Sequence, residues 1–291
     1  MTCIHDASTY DPTRTTDLRT RLRVDMDKRW QNLKRLTVRA IIDEDMLGLS
    51  NSARPGQIGT DPVTAFRGWF ATAISRVVLP GGGDWLVPYV DEAASRGLQR
   101  AAGALNPTGA YNPRAGEMAH STVVAAAIGD LIGIAGVVGQ QAGQAVANGV
   151  LSQLRPRQIA AAVGDRIARV GVVRSRALVN FVVVRAFNRA MLELFRTNGV
   201  THVGTIPERA PHPPVTRDSI FFDAKKKKKK KVENLVEILT AGDDFVCEEC
   251  EDLSQEGPYP IDEAQNLIPA HPNCRCAFVP FDDDRFANVR E

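Results

Sequence analysis

Hydrophobic residues recur at intervals of three and four along the first two-thirds of the chain, which is the helical period. The clearest stripe begins at Leu18, and charged residues occupy the other faces of the same segment. This pattern predicts an amphipathic helix whose apolar side faces a core. The stripe consists of Leu18, Leu22, Met26, Trp30, Leu33, Leu36 and Ala40.

Glycine and proline divide the following residues into helices and loops. Residues 51–61 and 106–116 are rich in turn-forming residues, and we expect loops there. Between these loops, the pattern predicts a second helix from Val63 to Leu79, which ends at Pro80 and the three glycines after it. A third helix is predicted to begin near Asp84.

Residues 131–154 contain no formal charge, and this stretch of 24 residues is long enough to span a bilayer. Its side-chain amides and glycines argue against a membrane span, so we expect a tightly packed helix. A membrane-active role for residues 119–154 is the alternative. Small residues on one face let another backbone approach closely, within a bundle or between subunits. The predicted packing face consists of Gly129, Gly133, Gly136, Gly139 and Gly143.

A long helical pattern runs from Pro156 to Asn198, and we expect a bend near Gly171. Arg185, Arg189 and Arg196 form one stripe on this helix. Two interpretations are open for the stripe. It is either a solvated face that Glu193 partly neutralises, or a contact for DNA or an acidic partner.

The pattern changes after Gly199. Short alternating runs predict strands at 200–206, 235–240 and 276–281, and residues 207–214 form a proline-rich connection. A lysine run follows that connection, and it is either a solvated loop or a contact for phosphate groups. The run consists of Lys225, Lys226, Lys227, Lys228, Lys229, Lys230 and Lys231.

Charge is unevenly distributed, although the whole chain of 291 residues has a formal net charge of only +2. Residues 151–220 contain eleven arginines against four acidic residues, whereas residues 232–291 contain fifteen acidic residues against three arginines. The basic middle and the acidic end either present two different surfaces, one of them to a polyanion, or attract each other.

Four cysteines and a histidine near the C-terminus have the spacing of a zinc site. Two cysteines separated by two residues can bind one tetrahedral ion from a single turn, and a distant second group of ligands completes the site. Zn²⁺ suits thiolate and imidazole ligands, and four protein ligands would make the site structural. Two disulfides or unligated thiols are the alternatives. Four of five candidates are expected to bind: Cys247, Cys250, His271, Cys274 and Cys276.

These patterns predict an α+β protein with a mostly helical body at residues 1–199 and a small module at 200–291. The module contains strands, is held together by zinc, and has a basic insertion loop at about 210–231. With 44% hydrophobic and 24% charged residues, the composition excludes a disordered chain. The chain has no phosphate-loop, dinucleotide-binding or hydrolase motif. We therefore predict that it is not an enzyme. The first 20 residues lack an apolar core, so we expect synthesis in a reducing cytoplasm.

The C-terminal residues resemble the signature of tailed-bacteriophage minor head proteins, the Mu F-type head morphogenesis family. The resemblance is specific over about the last hundred residues and covers the helical part in style only. It departs from the family pattern at an apparent insertion, about 210–231, and at Ser254–Gly257. The residues that carry it are Thr240–Cys247, Cys250, Tyr259–Ala264, Ile268–Cys276, Arg185–Ala190, Asn198–Val200, Asp11–Thr15 and Trp30.

The resemblance implies a structural protein of the virion that acts in head assembly at the portal and the capsid interior. It implies portal and capsid proteins as partners, with self-association or ring assembly, and synthesis in the cytoplasm of a host bacterium. It also allows a role in DNA packaging or ejection and non-specific contact with packaged DNA. Two other classes remain as alternatives: a membrane-active ejection protein and a nucleic-acid-binding zinc protein.

Overall fold

The structure is a computed structural model that describes residues 11–49, 61–105, 117–198, 235–239, 246–271 and 274–280. At 117–120, 235–237 and 239 only the backbone is described. The predicted strand at 200–206, the proline-rich connection, the insertion and the lysine run lie outside these residues. The prediction of a mostly helical protein with a few strands near the C-terminus is confirmed.

The first helix, α1 (Thr16–Ile42), buries the predicted stripe with one exception. Leu36 is 38% exposed, so its assignment to the core was wrong. Thr37 is fully buried in its place, and its hydroxyl donates to the carbonyl oxygen of Leu33 at 2.8 Å. The periodicity allowed either residue, and this local hydrogen bond makes burial of the polar residue possible.

Helix α2 (Pro62–Val77) begins where proline and a capping acid coincide. The Asp61 carboxylate accepts a hydrogen bond from the Thr64 backbone N–H at 3.1 Å, which satisfies one donor of the first turn. Three glycines with positive φ, at 81–83, then kink the chain within the segment Pro80–Leu86. This segment leads directly into α3 (Val87–Leu105).

Helix α4 (Glu117–Leu151) packs on the body through an apolar stripe. The glycines do not form that stripe. Gly129, Gly133 and Gly136 are exposed, and a Cβ on any of them would contact nothing within 4 Å among the described residues. The expected close packing within the chain is therefore not found at these three positions. Only Gly139 and Gly143 lie near α2. The buried stripe consists of Val123, Ala127, Leu131, Ala135, Val138, Ala142 and Val146.

The long C-terminal helix of the body has three consecutive parts: α5 (Pro156–Arg166), a π-helical turn (Ile167–Val172) and α6 (Val173–Thr197). The π turn lies where the sequence predicted a bend. Gly171 lies directly under Trp30, and a Cβ there would come within 2.7 Å of the indole ring. The Trp30 Nε1–H donates to the Ser175 hydroxyl at 2.6 Å, which satisfies the buried indole.

Three short strands form an antiparallel sheet in the order β2–β1–β3: β1 (Leu235–Leu239), β2 (Tyr259–Pro260) and β3 (Ala277–Pro280). Two short helices lie between β1 and β3, namely α7 (Glu248–Glu256) and α8 (Ile261–Ala264). Neither helix was predicted from the sequence. The Ser254 hydroxyl of α7 donates to the Ile238 carbonyl oxygen at 3.0 Å and attaches this helix to the sheet.

The C-terminal region shares a hydrophobic core with the helical body. One cluster joins α3 and α6 to the sheet, to α7 and α8 and to the cysteines. Phe187 and Phe195 of α6 and Phe278 of β3 are the largest fully buried side chains in it. The predicted boundary near residue 199 therefore separates two stretches of sequence whose described residues bury their apolar surface together.

Candidate metal centre

The four cysteines of the C-terminal region come from two places in its fold. Cys247 is the N-cap of α7, and Cys250 lies one turn into that helix. Cys274 follows a tight turn in which its backbone N–H donates to the His271 carbonyl oxygen at 3.0 Å. Cys276 directly precedes β3. A helix N-terminus and a turn that enters a strand thus place all five candidate ligands in one region.

Cys250 occupies the middle of the cluster. Its Sγ lies 3.1 Å from His271 Nε2 and 3.9 Å from the Sγ of Cys274. The potential ligand atoms form two overlapping groups, within each of which all atoms lie within 4.8 Å of one another. One group is Cys247, Cys250 and His271, and the other is Cys250, Cys274 and Cys276.

This arrangement suits a tetrahedral ion with thiolate ligands. Zn–S bonds of about 2.3 Å place neighbouring sulfurs of a tetrahedron about 3.8 Å apart, close to the distance between Cys250 and Cys274. A disulfide has an S–S bond of about 2.05 Å, and all four cysteines are free. The donors therefore fit a metal ion better than the disulfide alternative, and their chemistry favours zinc.

Burial and mutual hydrogen bonding strongly perturb the thiols. Cys250, Cys274 and Cys276 are at most 3% exposed. Hydrogen bonds from Cys250 and then Cys276 lower the pKa of Cys274. The hydrogen bond to Cys274 is the largest of the effects that raise the pKa of Cys250. A divalent ion would stabilise several thiolates together.

Asn188 connects this cluster to the body. Its side chain is 1% exposed, and its amide Nδ2 donates to the carbonyl oxygens of Val184 and Cys276, both at 3.0 Å. Its Oδ1 accepts from the Phe278 backbone N–H at 3.2 Å. The amide therefore binds the backbone on either side of Ala277 as a neighbouring strand would. It fixes the strand that follows the last candidate ligand.

No protein-family model, curated protein or solved structure matches this chain.

The predicted arginine stripe lies at the junction between α6 and the C-terminal region. Arg189 donates to the Gln265 side-chain oxygen at 3.0 Å, and burial is the largest cause of its lowered pKa. Arg196 forms ion pairs with Glu193 at 2.8 Å and with Asp262 at 2.6 Å. Two of the three arginines thus contact groups of their own chain.

Arg185, the third member, lies over the ring of Phe181, with its guanidinium carbon 4.8 Å from the ring centroid. The stripe is therefore not a continuous face directed at an outside partner. The interpretation in which Glu193 partly neutralises it agrees with the observed contacts. The lysine run, Lys225–Lys231, lies outside the described residues.

Sequence reasoning missed the residues that attach the cluster to the body. Asn188 is the clearest case, because an amide among Val182, Phe187 and Met191 on the apolar side of a helix is itself a signal. A buried amide needs partners, but the sequence did not show that these partners would be the backbone around the second pair of cysteines.

Proposed function

We propose that this chain is a structural minor head protein of a tailed bacteriophage, which acts in head assembly at the portal and the capsid interior. A structural zinc ion would hold its C-terminal region in shape. The protein would be made in the cytoplasm of the host bacterium and retained in the virion, with no enzymatic activity of its own.

One observation carries the proposal. The two segments most characteristic of the family resemblance, Arg185–Ala190 and Cys247–Cys276, contact each other in the folded chain. Asn188 from the first segment binds the backbone at Cys276 and Phe278, directly beside the cluster. The two segments are distant in sequence but match the same family pattern. Their contact in the folded chain supports a common structural unit.

The geometry suggests what this unit does. The thiols fix α7 against the sheet, while α7 exposes five carboxylates and no basic residue. These are Glu248, Glu249, Glu251, Asp252 and Glu256. A rigid acidic helix at the end of a helical body is suited to docking on a basic surface of a portal or capsid protein. Binding of zinc would supply much of the free energy that holds so small a unit together.

The zinc part of the proposal is tested by a double variant, C247S/C250S, with C3S as the matched control because Cys3 is not among the five candidate ligands. We expect purified wild type and C3S to contain stoichiometric zinc and to resist proteolysis of the C-terminal region. The double variant should lose both properties. If it keeps its zinc content and its resistance to protease, the structural role of zinc is wrong.

The assembly role has a separate test. Quantitative mass spectrometry of DNA-filled particles, and of particles that have released their DNA, should find a fixed low copy number in both. Absence from both would contradict a virion role, whatever the zinc result. Loss together with the DNA would favour an ejected protein.

A membrane-active ejection protein is the second candidate, and α4 is the observation that favours it. Its segment Ser121–Leu151 is long and apolar enough to cross a membrane by length and composition alone, and 28% of its most apolar window is buried. Core helices of soluble proteins also meet the length and composition criteria. Leakage of dye from liposomes on addition of the full chain would support this candidate, and an inert chain would exclude it.

A further inference from the structure

The helix from Arg155 to Arg176 presents an unusually basic surface. Six of its eleven exposed residues are arginine and only one, Asp165, is acidic. Its exposed side also carries the small residues Ala161 and Ala162. We call this surface the basic helical face. Its charged members are Arg155, Arg157, Asp165, Arg166, Arg169, Arg174 and Arg176.

Most of these charges have no counter-ion within the described parts of the chain. Arg176 forms an ion pair with Asp27 at 3.0 Å, and Arg169 approaches Asp165 at 3.9 Å with both side chains largely exposed. The other four arginines form no ion pair with any described carboxylate. Such exposed, unpaired guanidinium groups are available to an external anion.

Helix α1 extends this basic surface. The Lys34 side chain crosses α5 at Gly164, where a Cβ would lie 3.1 Å from the lysine Cε. Arg35, one residue further along α1, is exposed, and its guanidinium makes only a long hydrogen bond to Asn32, at 3.4 Å. Helix α1 therefore contributes the cation of Lys34 beside α5.

Within the described part of the chain, the acidic C-terminal region forms no ion pair with this surface. It contacts α6 through Arg189 and Arg196, and residue 189 lies about 20 Å along the helix from residue 176, the nearest member of the face. Charges interact weakly beyond the screening length of about 8 Å at physiological salt. The two halves do attract each other through the ion pair between Arg196 and Asp262, but this described contact lies away from the basic helical face.

We propose that the basic helical face binds the phosphate backbone of double-stranded DNA without sequence preference. The segment is about 32 Å long, close to one turn of duplex. Guanidinium groups are the preferred donors to phosphate, and Ala161 and Ala162 leave room for a close approach. Its one exposed large hydrophobic residue is Val173. A protein partner would need more apolar or aromatic anchors.

Identifying this DNA as the packaged genome rests on the proposed function, whereas the binding itself does not. The test uses the purified full chain and a 30-base-pair duplex of random sequence, followed by fluorescence anisotropy between 50 and 200 mM KCl. With about four phosphates neutralised, the affinity should fall roughly 150-fold across this range. Over the same range, the affinity of the variant R166Q/R174Q for the duplex should fall only about 12-fold, because two phosphate contacts are lost.

The variant R67Q/R76Q is the matched control, since it removes two exposed arginines of α2. It should keep the salt dependence of the wild type. Circular dichroism and zinc content should be unchanged in both variants, because all four side chains are exposed. Equal loss of salt dependence in the two variants would mean that binding follows overall charge, and would overturn the assignment to this face.

Three other results would overturn the proposal. One is the absence of salt-sensitive binding by the wild type. Another is that R166Q/R174Q binds DNA normally, whereas a variant with Lys225–Lys231 replaced by glutamine binds it less tightly. This result would assign the contact to the lysine run. The third is that R166Q/R174Q binds DNA normally but no longer self-associates, as measured by sedimentation. This result would mean that the face binds the acidic end of a second copy. Failure of any of these binding tests leaves the particle measurements above unaffected.

Discussion

The Asn188 amide makes a sharp prediction, because it is buried and binds two backbone groups of another element. Asn188→Ala would leave the Cys276 carbonyl oxygen and the Phe278 N–H without their partners inside a closed core. A buried polar group without a hydrogen bond costs about 1–3 kcal/mol. We therefore expect Asn188→Ala to lower the free energy of unfolding by about 3 kcal/mol, because it leaves two such groups without partners.

The assay is urea unfolding of the zinc-saturated chain, combined with hydrogen exchange at the Phe278 amide. If the strand detaches locally, 3 kcal/mol corresponds to about 150-fold faster exchange at this amide. Asn188→Asp keeps an acceptor for the Phe278 N–H but removes the donor to Cys276. It should therefore protect the amide better than alanine does, while still destabilising the protein.

Asn32→Ala is the matched control, since Asn32 is half-buried on α1 and its side chain makes only the 3.4 Å contact with Arg35. It should change the free energy of unfolding by less than about 0.5 kcal/mol. A loss below 1 kcal/mol in Asn188→Ala, with normal protection of the Phe278 amide, would refute the argument that this amide holds the strand in place.

Two further predictions concern the helical body. Gly97→Ala should destabilise it by about 3 kcal/mol or more, because the new Cβ would lie 2.2 Å from the Phe187 carbonyl oxygen. Gly103→Ala in the same helix is the control and should be neutral or stabilising, because its Cβ would have nothing within 4 Å among the described residues. Equal urea midpoints for the two variants would contradict this prediction. Hydrogen bonding from Arg96 lowers the pKa of Asp17 to about 2, below its usual 3.8. The stabilisation from Asp17 should therefore be complete above pH 4 and be lost as the pH falls towards 2. The free energy of unfolding, measured with urea, should fall less between pH 4.5 and 2.5 in Asp17→Asn than in the wild type. An identical fall in both proteins would show that this pair does not contribute.

Periodicity in the sequence was sufficient to predict much of the secondary structure. The stripe from Leu18 to Ala40, apart from Leu36, forms the buried side of α1, and the stop at Pro80 and its glycines separates α2 from α3. These features are local, because a helix buries whichever side is apolar and a glycine with positive φ breaks it wherever it occurs. The spacing of the cysteines was equally local, and all five candidate ligands lie together.

Positions whose role depends on a distant neighbour were not predictable in this way. The glycines of α4 had the spacing of a packing face, yet Gly129, Gly133 and Gly136 face open space, and the closest approaches to backbone or ring atoms lie at Gly97 against α6 and Gly171 against Trp30. Whether a glycine is needed depends on what lies opposite it. The sequence of one helix does not contain that information.

The same distinction applies to charge and to buried polar groups. The sequence by itself determined that the chain has a basic middle, an acidic end and five potential metal ligands in one short region. Only the tertiary structure decided that Arg189 and Arg196 face the C-terminal region while the arginines between 155 and 176 remain exposed. Composition sets how many charges a segment carries, but packing between distant segments decides which are compensated and which stay available to a partner.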